Sequence, residues 1–245
     1  MPQVRAAGHA VNYEWVGEGG AQLVFLHEGL GSIRQWRDFP SKVAATAGCR
    51  ALVYDRYGYG QSDVLAEPRR TVRFMHDEAL IALPEILSSL KIENPVLIGH
   101  SDGASIALIH AGAGHAVRGV VAMAPHVFIE PVCLSSIEKA TSLDLPAKLA
   151  RYHRDARKTF YGWADVWLDP DFKGWDIRDD YLPGVRCPVL AIQGYDDEYG
   201  TMAQLDAVDA RVAGPRTILK LDDCGHSAFR DQPAAVLGAI EKFLQ

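Results

Sequence analysis

Pro95-Val96-Leu97-Ile98-Gly99-His100-Ser101-Asp102-Gly103-Ala104-Ser105-Ile106-Ala107 is an apolar run that ends in Gly-x-Ser-x-Gly and passes at once into a helix-compatible segment. That order is the sequence of a nucleophile elbow. A strand delivers Ser101 into a tight turn, and the helix behind it points its N-terminus at the reacting oxygen. Gly99 and Gly103 have a steric task, because a Cβ at either would collide with the turn or with the packed strand and helix. With 22 Gly and 11 Ser in 245 residues, a shuffled chain would contain the bare pattern with a probability of about 0.1. The pattern decides little alone; its flanks and its partners decide.

Working outward, residues 9–16 and 22–28 read as strands joined through Gly17-Glu18-Gly19-Gly20, a first hairpin that would add antiparallel edge strands. Leu23-Val24-Phe25-Leu26 and Ala51-Leu52-Val53-Tyr54 are apolar throughout, as strands covered on both faces are. Helices are predicted over 37–47 and 71–90, the second kinked or restarted by Pro84. After the elbow come a helix from Asp102 to about Ala111 and a strand over 119–124. Past residue 182 follow the strand at Pro188-Val189-Leu190-Ala191-Ile192, a helix over 202–213, a strand over 217–221 and a last helix with Pro233 in its first turn. Such alternation predicts a mostly parallel central sheet with helices on both faces. Residues 126–182 break the pattern. They carry no buried strand, eight of the chain's 22 aromatics fall between Tyr152 and Tyr181, and they read as a small helical cap inserted into a core of 1–125 and 183–245.

Composition bounds the function. At 48 % apolar and 23 % charged, with a net charge of −6 and no Lys/Arg block, the chain is predicted to be a globular protein with no nucleic-acid partner. Neither an N-terminal signal core nor a run of membrane-span length is present, so no membrane partner and a cytoplasmic location are expected. Cys49, Cys133, Cys187 and Cys224 share no metal spacing and read as buried free thiols. No metal and no cofactor is expected, and the assembly is expected to be a monomer or a homodimer.

A serine hydroxyl needs a base within reach and an acid to orient that base. Tyr195-Asp196-Asp197-Glu198 leaves one core strand and Asp222-Asp223-Cys224-Gly225-His226 leaves the last, both on the side where Ser101 emerges. His226 is the candidate base. Asp196 and Asp197 both qualify as acid, and only one of two adjacent residues leaving a strand can face His226. The oxyanion calls for two backbone N–H groups, one from Asp102 and one from His27-Glu28-Gly29.

These motifs, with Asp55-Arg56-Tyr57-Gly58-Tyr59-Gly60 between them, fall in the order seen in the α/β-hydrolase superfamily, which the chain resembles over nearly its whole length. The resemblance implies the α/β-hydrolase fold and a carboxylesterase-like hydrolase acting on a small-molecule substrate. It also implies Asp197 as the acid of Gly194-Tyr195-Asp196-Asp197 and Gly29 as the second oxyanion donor. Glu28 departs from the family's usual His-Gly and puts a carboxylate at the mouth of the site. Ser101-Asp102-Gly103 further resembles the valacyclovirase branch, where the Asp after the nucleophile is thought to hold a substrate ammonium group. Set against that, Asp102 is expected simply to cap the elbow helix. Glu28, Asp102 and Trp163 are the candidate substrate-binding residues. Arg151, Arg154 and Lys158 would share a face if their stretch were helical, and the cap aromatics are expected mostly to fill the cap's own core. Carbon–carbon bond, thioester and lactone hydrolysis use the same triad and stay open, as does a ligand receptor built on the fold.

Overall fold

Strands β1 (Gln3–Ala6), β2 (His9–Val16), β3 (Gln22–Leu26), β4 (Arg50–Tyr54), β5 (Val96–His100), β6 (Gly119–Met123), β7 (Val189–Gly194) and β8 (Arg216–Leu221) form one sheet in the order β1-β2-β4-β3-β5-β6-β7-β8. This is a computed structural model, and it describes residues 2–20 and 22–245. From β4 to β8 every pairing is parallel; β1 and β2 are antiparallel edge strands. The expected hairpin of 9–16 with 22–28 does not form. β2 turns back instead on β1, through Ala7-Gly8 with Gly8 at φ +81°, and β4 inserts between β2 and β3. β3 also ends two residues before its expected limit, which frees His27 and Glu28 for the loop.

The apolar strands serve two cores by alternation. Leu23, Phe25, Val53, Ile98, Met123 and Ile192 pack with Phe39, Val43, Val236 and Ile240 on one face. Val24, Leu26, Leu52, Leu97, Val120 and Ala191 pack on the other with Met75, Leu83 and Ile86, with the elbow helix Asp102–Gly112, and with the cap aromatics Phe160 and Trp167. The helix carrying Pro84 runs over Phe74–Ser89 and widens into a π-helical turn at Glu78–Ala82. Proline lacks an N–H and crowds the carbonyl four residues back, so a wider turn just before it absorbs the misfit.

Residues 126–182 form no named strand and contain the helices Pro131–Thr141, Leu145–Leu149 and Ala156–Trp167. The basic stretch is not one helix, so Arg151, Arg154 and Lys158 do not share a helical face. Asp155 caps the last of these helices by accepting from Lys158 N–H at 2.9 Å, so Arg151 and Arg154 fall in turns outside it. Arg154 reaches Asp63 and Lys158 Nζ donates to Leu65 O at 3.0 Å, so these cations fasten the cap to the core. All four cysteines are free thiols, Cys187 only half-buried, and no helix among the described residues is long and apolar enough to cross a membrane.

Candidate active site

The C-terminal edge of the parallel sheet gathers the loops that follow β3, β5, β6, β7 and β8, the edge at which open α/β sheets place their ligands. Ser101 lies there at φ +52° and ψ −122°, a strained conformation for a residue with a side chain. The strain is held from several sides. Ser101 N–H donates to Met123 O at 2.9 Å, and Ser101 O accepts from Ala104 N–H at 2.8 Å. A Cβ on Gly99 would overlap Gly103 O, and one on Gly103 would overlap Leu26 O, so the turn, β3 and the elbow helix meet where only hydrogen fits.

Of the two candidate acids, Asp197 faces the histidine and Asp196 is exposed. Asp197 Oδ1 accepts from His226 Nδ1 at 2.8 Å and from Tyr199 N–H at 2.9 Å, and Oδ2 accepts from Gln193 Nε2 at 3.2 Å. With the proton on Nδ1, His226 Nε2 is left with a free lone pair. Burial alone would lower the His226 pKa, but the hydrogen bond and charge of Asp197, with Glu28 and Glu198 behind them, outweigh it and raise the value. Burial would raise Asp197, and the His226 hydrogen bond and charge bring it below the usual range. Ser101 and His226 line one cavity of about 180 Å³ without a direct hydrogen bond between them, a separation common before substrate tightens such sites.

Among the described residues, neither Gly29 N–H nor Asp102 N–H has an acceptor in the protein. The Glu28–Gly29 peptide is trans, so its N–H points away from its C=O. That C=O accepts from Arg56 Nη2 at 2.8 Å, His27 Nδ1 at 2.7 Å and Gly31 N–H at 3.0 Å. Three donors on one carbonyl both fix the plane and polarise it, which strengthens the Gly29 N–H as a donor. Arg56 N–H donates to His27 Nε2 at 3.1 Å, completing the neutral His27 tautomer. Burial, then the Arg56 charge, holds the His27 pKa well below its ordinary value, in agreement.

The three candidate substrate-binding residues all line the cavity, with different engagements. Glu28 is taken by the protein: its Oε2 lies 2.5 Å from His100 Nδ1, although the contact is too bent to be a hydrogen bond. Burial would raise its pKa, but the charge and contact of His100 bring it down to about 2, so Glu28 is a carboxylate. Asp102 is 1 % exposed and does not cap the elbow helix, since neither carboxylate oxygen accepts a hydrogen bond. Its counter-ion is the buried Arg56, 4.0 Å away. Burial raises its pKa, and Arg56 and Arg70 oppose the rise. Trp163 is buried, with its indole edge against Gly29.

Sequence reasoning missed His126 and Tyr199 on the cavity wall, where they are joined by Trp167, one of the cap aromatics. His126 follows β6 closely, so the strand-end rule that found His226 applied to it too. Its ring lies 5.9 Å from that of His226 and 5.0 Å from that of Trp167. Burial, then the neighbouring His226 charge, lowers its pKa to about 3, so it is neutral. The cap aromatics divide as expected between the cap core and the cavity. No Lys or Arg lines the cavity, and no group of three His, Cys, Asp or Glu is arranged to hold a metal among the described residues.

The chain is similar to known proteins in sequence and in fold. The chain is 26 % identical to BpoC of Mycobacterium tuberculosis, provisionally named a non-heme bromoperoxidase, over 91 % of this chain and 94 % of that protein. Its structure resembles an enol-lactonase from Burkholderia xenovorans at a TM-score of 0.75 and 20 % identity, covering 99 % of both chains. It resembles an esterase from Exiguobacterium antarcticum at 0.78 and 19 % identity, covering 99 % and 98 %. At these identities the two solved structures speak for the fold alone. The model of the alpha/beta hydrolase family matches residues 23–239, and the chain belongs to that family.

Proposed function

We propose that the protein is a serine hydrolase of small carboxylic esters that works through an acyl-enzyme. Ser101 Oγ attacks the ester carbonyl while His226 Nε2 takes its proton. The carbonyl π pair moves onto oxygen, which the N–H groups of Gly29 and Asp102 receive. Collapse re-forms the carbonyl and expels the alcohol, which leaves with the proton from His226. Water, deprotonated by the same histidine, then releases the acid. Asp197 holds the imidazole in the productive tautomer throughout. The observation that supports this most is the 2.8 Å Asp197–His226 hydrogen bond on the wall of the cavity that holds the strained Ser101.

The cavity of about 180 Å³ favours compact substrates, so short-chain esters come first and lactones, which are ring-closed esters, are the second reading. Amino-acid esters rank lower. The carboxylate that would bind their ammonium group, Asp102, already has Arg56 as its counter-ion. The test is turnover of a panel of short esters, lactones, thioesters and ring-cleavage diketones by wild type and Ser101→Ala. Ester or lactone turnover lost in Ser101→Ala is expected. A correctly folded wild type that turns over none of the panel points to a ligand receptor instead.

A further inference from the structure

We propose that Trp163 reaches from the cap into the oxyanion site and donates its indole N–H to the substrate's carbonyl oxygen, as a third donor beside Gly29 and Asp102. The proposal rests on the serine-hydrolase reading above and makes the cap part of the catalytic machinery.

Trp163 Nε1 is buried and has no acceptor in the protein. Buried indole N–H groups ordinarily find a partner, so an orphan on a cavity wall is available to whatever enters the cavity. The nitrogen is also in a particular place. A Cβ on Gly29 would overlap Trp163 Nε1 and lie 2.7 Å from Cε2, so the indole edge rests directly on the Gly29 backbone. The Asp102 carboxylate is also near: burial raises its pKa, and the hydrogen-bonding pull of the Trp163 N–H on it opposes the rise, although neither carboxylate oxygen meets the geometry of a hydrogen bond. Nε1 thus rests on the Gly29 backbone and within reach of the Asp102 side chain, the two residues whose backbone N–H groups would hold the oxyanion, and all three line the cavity with Ser101.

The helix is braced to keep it there. Four residues before Trp163, Thr159 Oγ1 donates to Gly58 O at 2.8 Å; one residue before it, Gly162 O accepts from Arg70 N–H at 3.3 Å. A donor fixed in advance costs no reorganisation when charge develops on the carbonyl oxygen. No proton transfers from the indole; its hydrogen bond strengthens as the oxygen becomes an anion and weakens when the carbonyl re-forms.

The test is Trp163→Phe, which keeps an aromatic ring and removes the N–H. On a short ester, kcat is expected to fall about 10- to 100-fold with KM within about twofold, because the lost interaction belongs to the transition state. Affinity for a trifluoromethyl ketone, whose Ser101 adduct carries the oxyanion, should weaken by the same factor. Should Phe loosen the cap, the benzothienyl analogue of tryptophan replaces N–H by sulfur in nearly the same shape and should show the same loss. Unchanged kcat, or a loss confined to KM, overturns the proposal. A wild type without Ser101-dependent turnover overturns the serine-hydrolase reading, and this proposal with it. Ser101-dependent turnover whose kcat stays at the wild-type value after loss of the N–H overturns this proposal alone.

Discussion

The Glu28 carboxylate lies 2.5 Å from His100 Nδ1, and through that contact the loop after β3 is tied to the residue that precedes Ser101. The same ring donates from Nε2 to His226 O at 2.8 Å, because a carbonyl oxygen can only accept. One imidazole thus joins the loop after β3, the turn at Ser101 and the loop that carries His226. Glu28, which a sequence reader meets as a free charge at a mouth, is a structural carboxylate whose free energy depends on staying ionised.

Glu28→Gln should therefore destabilise the protein in a pH-dependent way. The folded-state pKa of about 2 lies below the ordinary 4.5, so the carboxylate's contribution is complete above about pH 4.5 and disappears as pH falls toward 2. At pH 7 the variant should be less stable by about 2 kcal/mol, with the gap narrowing through that window. Denaturant midpoints at pH 7, 4 and 3 measure it; a gap as wide at pH 3 as at pH 7 contradicts the assignment.

The His226 pKa is raised above its ordinary 6.5, since Asp197 outweighs the lowering by burial. A general base works only when neutral, so kcat/KM should rise with pH through an ionisation above 6.5. Asp197→Asn removes the carboxylate that raises it. The ionisation should move down in pH while the plateau falls by about 10²- to 10⁴-fold. An acid limb that stays in place in Asp197→Asn would detach that limb from His226.

Asp102→Asn should leave substrate charge preference alone and weaken the fold. The Asp102 carboxylate faces the buried Arg56 at 4.0 Å, so removing its charge leaves a buried guanidinium with less compensation, at a cost of about 1–3 kcal/mol. The ratio of kcat/KM for an amino-acid ester to that for its neutral isostere should not change. A wild-type preference for the amino ester that disappears in the variant would show that the ammonium group binds here.

Much of this site was readable because its parts obey local rules. Ser101 follows a strand in Gly-x-Ser-x-Gly, and His226 and Asp197 follow strands whose C-terminal ends share one edge. What escaped was set by contacts distant in the chain. Pairing of β2 with β4 rather than β3 leaves no mark on the apolar pattern of any of them, since that pattern reports burial and not neighbours. The Glu28–His100 contact spans 72 positions, and Trp163 meets Gly29 only because the cap folds back over the sheet. The basic stretch could share a face only as one helix, and the Asp155 cap starts the helix after Arg151 and Arg154.

Gly103→Ala tests the close approach at the elbow. The added Cβ would overlap Leu26 O, a backbone atom of β3 that cannot move without breaking the sheet. Stability should fall by about 3 kcal/mol or more. Thermal or denaturant unfolding within about 0.5 kcal/mol of wild type would mean that the helix has room to shift.

The central claim, that Ser101 forms the acyl-enzyme, is tested most directly by mass spectrometry of enzyme quenched during turnover of a short-chain p-nitrophenyl ester. One acyl group on the peptide that contains Ser101, with a matching burst of p-nitrophenol, is the predicted result; both should vanish in Ser101→Ala. Undiminished turnover by Ser101→Ala, or an acyl group on any other residue, would contradict it.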